Sequence, residues 1–150
     1  MGLILIAVCA CLADLMTKKY VEAQFREGET RALFGGRLRF RKVHNKGFAL
    51  GLLKDKPQTV RRITALVVIL FVIRLLRAVS GKKSRAAGAG LALVIGGGLA
   101  NWYDRFHQGY VTDFINVNIG RLRFLKKIFF NLADCFIVIG GILVLFSKKD

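Results

Sequence analysis

AAGAGLALVIGGGLANWY, residues 86–103, is a run of eighteen residues without a charge. A helix needs about 20 apolar residues to cross the hydrocarbon core of a bilayer, so this run predicts a transmembrane helix. Small residues recur in it every four positions, at Gly88, Ala92, Gly96 and Ala100. Such a ridge predicts close packing against a neighbouring helix.

Three further apolar stretches predict transmembrane helices, at residues 2–20, 63–79 and 128–146. The first is long enough only if it continues through Lys18 and Lys19, whose apolar stems can extend to the membrane surface. A signal peptide is the alternative there. No Lys or Arg precedes residue 18, however, and signal peptides open with a charged region. We therefore predict an all-α membrane protein of one domain, residues 1–150, with four transmembrane helices.

The composition combines 54% hydrophobic residues with a net charge of +16. That charge alone would suggest a nucleic-acid partner. Long uncharged runs suit lipid better, and basic loops can face anionic lipid, so we expect membrane lipid and no nucleic acid. Cys9, Cys11 and Cys135 lie in apolar stretches and predict no disulfide framework. With two histidines and no zinc motif, we expect no metal and no cofactor.

The tetrapeptide Arg-Leu-Arg-Phe occurs twice between the helices, at residues 37–40 and 121–124. Both copies alternate polar and apolar residues, which is the period of a half-buried strand. We therefore expect a small β element on the membrane surface.

In a chain that crosses the membrane four times, the end of the first span, the end of the third and the start of the fourth share one face. Six polar residues fall on that face: Asp14, Asn101, Asp104, Asp113, Asn131 and Asp134. Ionisable groups beside membrane stretches are costly and predict a functional site. Asp113 and Asp134, if brought together, could share one proton, as an aspartyl protease requires.

Other interpretations stay open for single residues. Asp14 could pair with Lys18 one helical turn later, Asp134 could cap the fourth helix, and Asp113 could be a loop acid. A small transporter or channel would spread its acids through the bilayer depth. A membrane scaffold with a basic surface would leave the paired acids without a role.

Five sequence blocks together resemble the lipoprotein signal peptidase family, signal peptidase II. They are Asp14 and residues 44–49, 101–105, 109–114 and 130–134, in family order over nearly the whole chain. The sequence departs from the usual family pattern at Ala100, at Thr112 and in the order of Gly47, Phe48 and Ala49. These departures leave the shape of the substrate groove open, since each acid and amide is present.

The resemblance implies a bacterial membrane-embedded aspartyl endopeptidase. Such enzymes remove the signal peptide from prolipoproteins by cutting just before a diacylglyceryl-modified cysteine. By motif match Asp113 and Asp134 would be catalytic. Residues expected to support the site or bind substrate are Asp14, Asn45, Gly47, Asn101, Asp104, Arg105, Asn131 and Ala133. For Arg105 the residue type favours a structural role, as a partner of Asp104 or of a lipid phosphate.

The resemblance also implies an orientation in the bacterial cytoplasmic membrane, with the active site near the extracytoplasmic face and both termini in the cytoplasm. Charge counting indicates the opposite, because cytoplasmic loops usually carry more Lys and Arg. Seven of the 25 Lys and Arg lie on the face of the termini: Arg74, Arg77, Lys82, Lys83, Arg85, Lys148 and Lys149. We follow the resemblance, since a partly folded first loop can cross despite its charge.

Overall fold

The computed structural model describes residues 1–80, 84–118 and 128–147. Within these ranges the chain forms four helices: α1, Gly2–Gln24; α2, Pro57–Ser80; α3, Arg85–His107; and α4, Leu132–Phe146. Three strands complete the described part: β1, Thr30–Leu33; β2, Leu38–Asn45; and β3, Val111–Val117. The prediction of a mostly helical protein with a small β element is confirmed.

Helix α3 is the centre of the bundle, because α1, α2 and α4 all pack against it. The small-residue ridge of α3 packs closely against α1, as its spacing predicts. Gly88 faces Leu3, and Gly96 faces the backbone of Ala7 in α1. A Cβ at Gly96 would collide with that backbone, so glycine there lets the two helix axes approach.

A second glycine contact joins α3 to α4. A Cβ on Gly90 would lie 2.6 Å from the carbonyl oxygen of Gly140, and a Cβ on Gly97 would lie 2.6 Å from that of Ala133. Real Cβ atoms do not come so close to a backbone oxygen. The start of α4, and with it Asp134, is therefore held directly against the middle of α3.

One described helix, α2, is long and apolar enough by length and composition to cross a membrane, and α4 is apolar but shorter. The apolar run of the fourth stretch begins at residue 128, whereas α4 begins at Leu132. The backbone of Phe130 hydrogen-bonds to Phe114 and Ile115 instead of starting the helix. Phe130 therefore adds an isolated bridge to Ile115 at the edge of the sheet before the helix begins.

The strands form an antiparallel sheet in the order β1-β2-β3. The first Arg-Leu-Arg-Phe copy leads into β2, as its alternation predicts. The second copy, residues 121–124, lies outside the described residues, as do residues 81–83 of the basic turn and Lys148 and Lys149. Strand β3 was not predicted, although Val111, Thr112, Ile115 and Val117 are β-branched.

The sheet docks on the C-terminal part of α1 through apolar side chains. Val21 of α1 and Phe25, the residue directly after α1, form a buried cluster with Phe114 of β3, and Phe40 and Leu132 pack around it. This contact places β3 beside the start of α4. Asp113 on β3 and Asp134 on α4 are thereby brought to one end of the bundle.

Candidate active site

Asp113 lies in the middle of β3 and is 3% exposed. Its two carboxylate oxygens accept hydrogen bonds from the side-chain amides of Asn45, at 3.0 Å, and Asn131, at 2.7 Å. Burial, and then the charge of Asp134, raise the pKa of Asp113 to about 7, against these hydrogen bonds. The group is therefore able to hold or release a proton near neutral pH.

Asp134 lies in the first turn of α4 and forms a reciprocal cap with Asn131. The side-chain oxygen of Asn131 accepts from the Asp134 backbone at 2.9 Å, and Asp134 Oδ2 accepts from the Asn131 backbone at 3.2 Å. The capping role considered from the sequence is thus present. The other oxygen, Oδ1, accepts from the side-chain amide of Asn101 at 3.1 Å.

Asn131 connects the two acids. Its amide nitrogen donates to Asp113 and, at 3.2 Å, to the side-chain oxygen of Asn101, while its backbone and oxygen bind Asp134. It is fully buried. A neutral amide in this place fixes both carboxylates without adding a charge that would change their shared protonation.

A buried charge cluster lies next to this network and is centred on Lys18. Its Nζ lies 2.5 Å from Asp14 and 2.7 Å from Asp104, and donates to the side-chain oxygen of Asn101 at 2.8 Å. The pairing of Asp14 with Lys18, considered from the sequence as an alternative role for Asp14, is present. The prediction that Lys18 extends to the membrane surface is wrong, because the residue is 3% exposed and its two acidic partners hold it inside.

Asp14 also reaches the start of α4. Its Oδ1 accepts a 2.8 Å hydrogen bond from the backbone of Ala133, the residue before Asp134. Ala133 itself is fully buried, and its carbonyl oxygen lies against Gly97 of α3. Both residues therefore help to set the position of Asp134.

Arg105 binds backbone rather than Asp104. It donates to the carbonyl oxygen of Gly47 at 2.8 Å and to that of Asn101 at 3.1 Å. The expected pairing with Asp104 is replaced by the Lys18–Asp104 ion pair. Gly47 has no room for a side chain, since a Cβ would lie 2.5 Å from the carbonyl oxygen of Leu52. Arg105 thus fastens the loop after Asn45 to α3.

A cavity of about 510 Å³ opens beside the two acids. Its polar end is formed by Asn45, Asn101, Arg105, Asp113, Asn131 and Asp134. Apolar residues of the helices line the rest, among them Ile63, Val67, Phe71, Val94, Ile137 and Val138. The cavity can therefore place a polar, reactive group next to the acids and an apolar group along the helices.

The arrangement meets the chemical needs of acid–base hydrolysis. One carboxylate can take a proton from water while the other, protonated, donates to the bond being cleaved. The structure brings all ten site residues predicted from the sequence into this network or its immediate support. Sequence reasoning missed the central role of Lys18, and the contacts of Glu22 and Thr112 behind β3. The spacing of Asp14 and Lys18 was the available signal for the first.

Comparison with known proteins is consistent along the whole chain. The family model of signal peptidase (SPase) II matches residues 6–148. The lipoprotein signal peptidase of Moorella thermoacetica is 33% identical over 96% of this chain and 90% of its own length. That of Aquifex aeolicus is 38% identical over 90% of this chain and 78% of its own length.

Two solved structures described as bacterial membrane enzymes share the fold. The first has a TM-score of 0.80 at 26% identity, and covers 99% of this chain and 93% of its own. The second has a TM-score of 0.77 at 28% identity, and covers 96% of this chain and 90% of its own.

Proposed function

The chain belongs to the signal peptidase II family and is a protease, and from this premise we propose that Asp113 and Asp134 are its catalytic pair. The substrates would be prolipoproteins, cut just before a diacylglyceryl-modified cysteine. One observation carries the assignment: Asn131 joins the buried carboxylate of Asp113 to the half-buried carboxylate of Asp134, at the polar end of an otherwise apolar cavity. Acids so arranged serve chemistry more than stability.

The proposed reaction needs one proton on the pair. Water attacks the carbonyl carbon of the scissile peptide and gives its proton to the ionised carboxylate. The protonated carboxyl gives its proton to the carbonyl oxygen. When the tetrahedral intermediate collapses, the carboxyl that took the proton of water gives it to the leaving nitrogen, the peptide bond breaks, and the other carboxylate takes a proton from a hydroxyl of the intermediate. The pair returns with one proton, as two acids in one dry pocket cannot both ionise cheaply.

The other polar groups would hold the substrate backbone. Asn45 and Asn101 face the cavity with amides that bind peptide groups without altering the charge of the pair. The Nε–H of Arg105 is buried and has no acceptor within the described ranges. A substrate carbonyl would give it one.

The apolar length of the cavity supports a lipidated substrate. Apolar residues of α2, α3 and α4 form much of its lining, so acyl chains beside these helices would stay in an apolar environment while the peptide reaches the acids. Each buried CH₂ contributes about 0.8 kcal/mol to such binding. A transporter is not favoured, because the acids gather at one end of the bundle rather than along it.

We further propose that all four helices cross the membrane, with the sheet and the acids at the extracytoplasmic surface. Large apolar side chains exposed on three helices support this: Leu5, Leu12 and Met16 of α1; Leu66, Ile69 and Leu76 of α2; Ile139, Ile142 and Leu145 of α4. Such faces suit lipid and would be costly in water. Helix α3, which lies between them, is mostly buried.

The test is cleavage of a synthetic diacylglyceryl-modified prolipoprotein peptide by the purified protein in detergent. We expect cleavage before the modified cysteine by the wild-type chain and none by the Asp113→Asn variant. A wild-type preparation that is folded and does not cut this peptide would overturn the proposal.

A further inference from the structure

A cluster of polar side chains lies behind β3 and is centred on Glu22, close to the C-terminal end of α1. Its Oε1 accepts a 2.7 Å hydrogen bond from the hydroxyl of Thr112 and lies 2.7 Å from Nε2 of His44. Its Oε2 lies 3.5 Å from Nζ of Lys42. We call these four residues the Glu22 cluster.

The Glu22 cluster adjoins the candidate site on both strands. Thr112 and His44 are direct partners in the sheet, Asp113 follows Thr112, and Asn45 follows His44. Successive side chains of a strand point to opposite faces. Glu22 therefore holds one face of the strand pair, while Asn45 and Asp113 meet on the other at 3.0 Å.

The apolar contacts between α1 and β3 do not fix a direction, and the hydrogen bond from Arg31 to the carbonyl oxygen of Gln24 reaches the far strand β1. Val21, Phe25 and Phe114 form an apolar cluster, and apolar burial is non-directional. The pairing of β2 with β3 also shifts register between Phe40 and Val43, directly beside the partner of Asp113. A slip of one residue in a strand turns every side chain to the other face.

The hydroxyl of Thr112 makes the Glu22 contact costly to lose. Thr112 is fully buried, and a buried hydroxyl left without an acceptor keeps its full desolvation penalty. Without Glu22, a movement of β3 that gives this hydroxyl another acceptor lowers the free energy of the folded chain. Asp113 would move with it.

We propose that Glu22 is a positioning residue, which acts through Thr112 and His44 to hold Asp113 and Asn45 where the reaction requires them. The inference rests on the proposed function, since it concerns the rate of that cleavage. A displacement of about 1 Å can lower a rate on the order of 100-fold, so even a small movement of β3 is measurable.

The experiment measures kcat, KM and thermal melting for purified variants with the lipidated peptide. We expect Glu22→Ala to lower kcat about 10-fold or more while KM changes about twofold at most, because the apolar part of the cavity on α2, α3 and α4 is unchanged. Adding Thr112→Val should restore part of kcat, since no hydroxyl then lacks an acceptor. Glu27→Ala is the matched control, because Glu27 is an exposed acid beyond the end of α1, and it should behave as wild type.

The outcomes separate the inference from the proposed function. A folded wild-type chain that cuts nothing removes both. An active wild type with a Glu22→Ala variant of unchanged kcat overturns the inference alone, as does a double variant no better than the single one. If Glu22→Ala does not fold, Glu22→Met replaces it, because methionine fills a similar space and offers Thr112 no oxygen. A lowered kcat at unchanged melting temperature would then support the inference, and an unchanged kcat would overturn it.

Discussion

Nζ of Lys18 donates a 2.8 Å hydrogen bond to the side-chain oxygen of Asn101, 83 residues further along the chain. An ammonium can only donate, so the atom of Asn101 that faces it has to be the oxygen. The nitrogen of Asn101 is then left to donate to Asp134. Lys18 thus fixes the orientation of an amide that supports one of the two proposed catalytic acids.

We expect Lys18→Met to lower both stability and activity. Asp14 and Asp104 would remain buried without their cation, and removing one partner of a buried ion pair costs about 3–5 kcal/mol. Adding Asp104→Asn should recover part of this loss. Lys19 is an exposed neighbour, so the control variant Lys19→Met should have the melting temperature of the wild type. A Lys18→Met variant with wild-type thermal melting and kcat would contradict this role.

The part of this arrangement within one helix was predictable, and the part between elements was not. The spacing of Asp14 and Lys18 predicts their ion pair, since residues four apart share a helix face. The four-residue spacing of Gly88, Ala92 and Gly96 likewise predicts a packing ridge. Neither pattern says which helix lies opposite, so the link from Lys18 to Asp104 and Asn101 could not be read from the sequence.

Strand β3 shows a second limit. Asp113 was assigned by its motif, but its place in a strand depends on pairing with β2, far away in sequence. The apolar residues 128–130 gave no means to tell a strand-like segment from the beginning of a helix. Here tertiary pairing with Ile115, rather than local preference, decides the backbone.

The proposed orientation predicts where reporters will lie. We expect a reporter fused after Asp150 to be cytoplasmic and one inserted near Glu29 to be external. The long connection between α1 and α2 contains β1 and β2 and so is folded, which allows it to cross despite its positive charge. The reverse pattern would place the two acids on the cytoplasmic side, as charge counting indicates, and would overturn the proposed orientation.

Cleavage should depend on the lipid of the substrate. Apolar residues of three helices form much of the cavity lining, so acyl chains should lower KM. Each CH₂ that they bury contributes about 0.8 kcal/mol to the binding free energy. The comparison is kcat/KM for matched peptides with and without the diacylglyceryl group, at one detergent concentration. Equal values would show that the apolar lining does not bind the lipid.

Asp113 should make stability and activity depend on pH. Its pKa is raised from 3.8 to about 7 in the folded chain, so folding favours the protonated form. This stabilising contribution is complete below pH 3.8 and is lost as pH rises through 7. We expect the melting temperature to fall over that pH interval, and to fall less in the Asp113→Asn variant. Cleavage should decline above neutral pH, as the pair loses its last proton.

Asp113→Asn and Asp134→Asn should each abolish cleavage while the protein stays folded in the membrane. Asparagine is nearly isosteric with aspartate, but it can neither take the proton of water nor return one. The double variant should be no worse than either single one, because the two carboxylates act as a unit.

Asp14→Asn provides the contrast within the same network. Its Oδ1 binds the backbone of Ala133 and its Oδ2 binds Lys18, but neither oxygen is part of the pair. We expect it to lose stability or part of the rate and to keep measurable turnover. The assay is turnover of the lipidated peptide, with thermal melting as the folding control. Should either variant of the pair keep more than a few per cent of wild-type activity, the aspartyl mechanism proposed for Asp113 and Asp134 would be wrong.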